Sequence, residues 1–113
     1  MLGRKKVLVV DDDEDFGKLM KKLLKNENIE VLLAYTLSEG MKMLEKEHPE
    51  YLFLDNMLPD GAGWEKTEYI LQNYPGVHLN LLSALSVPKT SASTFRIIEK
   101  PLSLQELLSC LDN

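Results

Sequence analysis

Apolar residues along this chain fall into two patterns, short continuous runs and longer stretches in which they recur every three or four positions. Val7 to Val10, inside KKVLVVDD, form a continuous β-branch-rich run bounded by polar residues, which predicts a buried strand. Phe16, Leu19, Met20, Leu23 and Leu24 then recur at helical spacing between Asp13, the predicted cap, and the stop at Asn26 and Asn28. IEVLLAY predicts a second strand; Ser38 is the expected cap of a second helix carrying Met41, Met43 and Leu44, which Pro49 stops. YLFLD is the third strand. Ala62 to Tyr74 offers Trp64, Thr67, Ile70, Leu71 and Tyr74 for a third helix, ended by Pro75-Gly76. VHLNLLS is the fourth strand, FRIIE a short fifth, and Ser103 caps a last helix with Leu104, Leu107, Leu108 and Leu111 on one side.

Strands alternating with helices at these lengths imply an α/β fold, a parallel sheet covered on both faces. Crossovers in such a sheet are right-handed, and ligands gather outside the carboxyl ends of its strands. With 113 residues the chain has room for one domain, taken as 1–113, and for one core. Its apolar runs are far too short to span a membrane, and the run after Arg4, Lys5 and Lys6 meets acids too soon for a secretory signal, so a cytoplasmic location is expected. Net charge of −5 argues against nucleic acid as a direct ligand of this domain. The lone Cys110 sits in an apolar helical pattern and reads as packing.

The predicted strand ends carry the chemistry. Strand one closes on Asp11, Asp12 and Asp13, strand three on Asp55, strand four on Ser83, and strand five on Glu99, Lys100 and Pro101. Asp11, Asp12 and Asp55 gathered at one rim repel one another and raise one another's pKa unless a cation joins them. Oxygen donors alone favour Mg2+ or Mn2+ over zinc, since His48, His78 and Cys110 lie outside the cluster. Mg2+ that keeps open positions reaches for phosphate oxygens, and a carboxylate such as Asp55 is itself able to accept a phosphoryl group. Lys100 and Ser83 would then offer an ammonium and a hydroxyl to that group.

In this order and spacing, VLVVDDDED, LDNMLPDGAG, Ser83-Ala84 and Lys100-Pro101 resemble the response-regulator receiver domain of two-component signalling along essentially the whole chain. The resemblance implies a flavodoxin-like five-stranded sheet of order 2-1-3-4-5. It implies that Asp55 accepts a phosphoryl group from a histidine kinase or phosphotransfer protein, and that the domain is not an enzyme beyond promoting its own phosphorylation and dephosphorylation. It also implies direct Mg2+ binding by Asp12 and Asp55, a water-mediated role for Asp11, a backbone carbonyl ligand from Met57, phosphoryl contacts from Ser83 and Lys100, and a cis Lys100-Pro101 bond.

Two departures from the family pattern bear on output. Only 16 residues lie between Ser83 and Lys100, and ALSVPKTSAST has no helical stripe, so the fourth helix of the family is expected to be reduced or absent. Ile97 stands where receivers commonly place an aromatic switch residue, with Phe95 two positions earlier. Both point to an unconventional output, a homodimer or an unknown partner at the strand-four, strand-five and final-helix region. With no output domain read after Asn113, the chain is expected to be a stand-alone regulator or an excised receiver. The alternative is a degenerate receiver acting as a phosphorylation-independent interaction or dimerisation scaffold. A phosphatase using an aspartyl phosphate would want an acid at position 57, where Met57 stands, and the acidic loop DDDEDFGK is unsuited to a flavin phosphate.

Overall fold

A computed structural model describes residues 5–25, 28–83, 95–100 and 102–111. The elements follow in chain order as β1 (Lys5–Val10), α1 (Glu14–Leu24), β2 (Ile29–Ala34), α2 (Leu37–Glu47), β3 (Tyr51–Asp55), a 3-10 turn (Gly63–Lys66), α3 (Thr67–Asn73), β4 (His78–Ser83), β5 (Arg96–Glu99) and α4 (Leu104–Leu111). The five strands pair in parallel in the order β2-β1-β3-β4-β5, the flavodoxin-like order expected from the sequence. Between β3 and the 3-10 turn, Met57–Leu58 and Gly61–Ala62 form a two-residue antiparallel ribbon with Pro59-Asp60 at its tip.

Side chains of a strand alternate between its faces, so the unbroken apolar run of β1 feeds two cores. Val7 and Val9 join Phe53 and Leu82 beneath Met20 and Leu24 of α1 and Leu107 and Leu111 of α4. Leu8 and Val10 join Leu52, Leu54, Leu79 and Leu81 on the other face, beneath Leu44 of α2 and Ile70 of α3. Cys110 is buried in the first of these cores, as its apolar setting predicts. Among the described residues no helix is long and apolar enough to cross a membrane.

Several local expectations need correction. Thr36, not Ser38, caps α2: its hydroxyl accepts from the Glu39 N–H, and Ser38 lies inside the first turn. The third helix does not run unbroken from Ala62 to Tyr74; it opens as the 3-10 turn carrying Trp64 and becomes α-helical only at Thr67. On α4 the buried residues are Leu107, Cys110 and Leu111, while Leu104 and Leu108 face solvent, and Leu19 of α1 is likewise exposed. Asp13 and Ser103 do cap α1 and α4, the latter through a reciprocal box with Glu106. The reduced fourth helix falls within residues 84–94, and the cis bond involves Pro101; both lie outside the described residues.

Candidate functional site

The parallel register brings the ends of β1, β3, β4 and β5 to one rim. Asp11 follows β1 directly, its N–H held by the Ala34 carbonyl of β2 and its side chain fully buried. One carboxylate oxygen of Asp11 accepts the Asp13 N–H at 3.0 Å, and the other meets the Lys100 ammonium at 2.5 Å. Lys100 is carried by the step off β5, where its N–H bonds to the Ser83 carbonyl at 2.9 Å and so joins the ends of β4 and β5. From there its Nζ also lies 3.5 Å from Asp55 Oδ1 and 4.9 Å from the centre of the Phe16 ring. The ring supplies a cation–π contact while closing off one side of the ammonium.

Asp55 ends β3 buried, with the Met57 backbone N–H favouring its charged form. Burial and the neighbouring Asp11 raise its pKa, against opposition from Lys100 and that N–H. Burial would lower the Lys100 pKa, but the hydrogen bond and charge of Asp11, joined by Asp55, outweigh it and hold the ammonium above its ordinary value. Asp12 is exposed at the mouth. Carboxylate oxygens of Asp11, Asp12 and Asp55 all lie within 4.8 Å of one another, the grouping among the described residues that could hold a metal ion. Three carboxylates facing one ammonium, with oxygen donors only, suit a hard divalent cation such as Mg2+. Both Asp11 oxygens already accept bonds, one from the Asp13 N–H and the other from the Lys100 ammonium.

Ser83 is buried at the end of β4, one residue beyond the Leu82 that pairs with Asp55. Met57 stands beside the site through its backbone, and the residue is 65 % exposed. His78 sits at the opposite end of β4, stacked on Tyr51, and His48 is the C-cap of α2 in a left-handed conformation; neither belongs to the cluster.

The loop beyond Asp55 contains two residues, Asn56 and Asp60, whose partners no sequence pattern reveals. Asn56 anchors its base: its N–H bonds to Leu82, its carbonyl accepts from Gly63, and its side chain accepts the Trp64 N–H at 2.9 Å. Asp60 anchors its tip, accepting the Leu37 N–H at 2.7 Å and the Ser38 N–H at 2.9 Å at the start of α2. Those two N–H groups hold the exposed Asp60 carboxyl below the ordinary carboxylate range. Asp60-Gly61 reads in sequence as a turn signal alone, and nothing local reveals partners 22 and 23 residues away.

The family model for the response regulator receiver domain matches residues 7–112. The response regulator protein PilR of Pseudomonas aeruginosa is 27% identical over 111 residues, covering 94% of this chain but 25% of PilR, so the chain spans a quarter of that relative. Among solved structures, a CheY-like response regulator receiver domain protein from Methanospirillum hungatei is 29% identical with a TM-score of 0.88, covering 97% of this chain and 92% of that one. The BeF3-activated DrrB receiver domain is 28% identical with a TM-score of 0.78, covering 96% of this chain and 95% of its own.

Proposed function

The chain belongs to the response regulator receiver domain family, and from that premise we propose that it is a phosphoacceptor switch whose Asp55 takes a phosphoryl group from a phosphohistidine of a histidine kinase or phosphotransfer protein. The observation that carries this reading is the Lys100 ammonium set against both Asp11 and Asp55, with Asp12 alongside. An Asp55 oxygen bonds to phosphorus as the phosphorus–nitrogen bond breaks and its electron pair leaves on the imidazole. Lys100 meets a phosphoryl oxygen, and the Ser83 hydroxyl donates to another. Asp12 and Asp55, with the Met57 carbonyl and a water-mediated Asp11, would hold Mg2+ or Mn2+, which supplies the positive charge that lets carboxylates and phosphoryl oxygens share one site. DrrB, solved in a BeF3-activated form, supports a site of this type.

Output is assigned to the face formed by β4, β5 and α4, where a second copy or another protein would dock. The phosphoacceptor reading is tested by intact-mass spectrometry after incubation with acetyl phosphate and Mg2+. The native chain should gain one phosphoryl group in a Mg2+-dependent manner, and Asp55→Asn should gain none. No gain with any divalent metal would sink the reading and favour the interaction scaffold.

A further inference from the structure

The loop that follows Asp55 is fastened at two places. Asn56 ties its base to β4 and to the 3-10 turn, as described above. Its tip reaches across to α2, where the two Asp60 oxygens take the N–H groups of Leu37 and Ser38, and Gly61 comes against the Leu37 side chain. Thr36 takes the Glu39 N–H and its carbonyl takes that of Gly40. The first turn of α2 is thus completed by two residues, one its own and one borrowed from the loop.

Between base and tip stands Met57, an exposed residue two positions beyond Asp55, engaged through its backbone in the ribbon pairing to Ala62. Since Leu58 and Pro59 alone separate Met57 from Asp60, movement of the tip would be passed to the Met57 peptide groups beside Asp55. We propose that Asp60 is a positioning residue for the cation site: its clamp on the N-terminus of α2 sets the Met57 backbone against Asp55. This inference rests on the receiver reading and extends it to a residue that touches neither the cation nor the phosphoryl group.

The test is calorimetric titration of Mg2+ into the full chain, its Asp60→Ala and Asp60→Asn variants, and Thr36→Ala, with thermal unfolding of each. Thr36→Ala removes a cap from the same helix end without touching the loop, so it controls for loss of stability alone. Asp60→Ala should lower both Tm and Mg2+ affinity, the latter about tenfold as for the loss of an outer-shell partner. Asp60→Asn, which keeps one acceptor, should recover part of the affinity. Thr36→Ala should lower Tm and leave Mg2+ affinity unchanged. Equal Mg2+ affinity in Asp60→Ala and the native chain, both folded, would overturn the proposal. Failure of the native chain itself to bind Mg2+ would instead overturn the cation-site reading, and the proposal with it.

Discussion

A methyl group at Gly63 would lie 2.3 Å from the Asp55 carbonyl oxygen and 2.9 Å from Leu54 Cγ. Backbone cannot move aside as a flexible side chain can, so the close approach of the loop to the end of β3 requires glycine there. Gly63→Ala should therefore destabilise the fold by about 1–3 kcal/mol, the range for overpacking a dense interior, as read from urea denaturation. An unchanged midpoint would mean that the loop yields freely and does not hold Asp55. Much of the site was legible at this scale. Asp55 stands out because a carboxylate closing a five-residue apolar strand is costly without a role, and Asp11, Asp12 and Lys100 stand out because they close other strands of the same parallel sheet. What each acid touches was not legible: Phe16 looks like one more residue of a helical stripe, yet its ring backs the Lys100 ammonium.

Elements were readable where periodicity governs them and misread where a long-range contact does. The five strands and the bodies of α1 and α2 follow from buried runs and helical stripes, because tertiary packing rewards those patterns directly. The start of α2 does not follow, since Ser38 resembles a cap in sequence but its N–H is taken by an acid from a distant turn. Likewise α3 opens in a 3-10 turn because Asn56 captures the Trp64 N–H, a constraint with no local signature. The Asp60 clamp has a pH signature of definite sign. Its folded pKa lies below the ordinary 3.8, so the unfolded chain binds the proton more readily. The clamp's contribution is present above that ordinary value and is lost as pH falls through the folded one. Urea unfolding of the native chain and Asp60→Asn should show a stability gap at neutral pH that narrows as the pH is taken below 3.8. A gap independent of pH would show that the charge at the helix N-terminus contributes nothing.

At the scale of the whole molecule, the sheet ends at β5, which pairs with β4 on one side only among the described residues. Its neighbourhood combines features of a contact surface. A groove of about 540 Å³ runs along Phe95, Arg96, Ile97, Glu106, Ser109 and Cys110, between the end of the sheet and α4. Arg96 spans the strand and the helix through Ser109 and Cys110, giving the face a fixed cation amid apolar surface. Phe95 packs edge-on against Trp64 at 5.9 Å, so the aromatic residue near the end of the sheet already has a partner, and Ile97 has no polar tip to swing. A switch that moves an aromatic side chain at position 97 is therefore closed to this chain, which is why output is proposed to run through association on this face. With beryllofluoride and Mg2+, light scattering should show the mass rising from 12.9 kDa toward twice that value. Arg96→Glu reverses the charge of an exposed residue that lines this groove, so it should leave folding and phosphorylation intact while holding the mass at the monomer value. A monomer at high concentration both with and without the phosphoryl mimic would remove the homodimer and leave this face to a different protein.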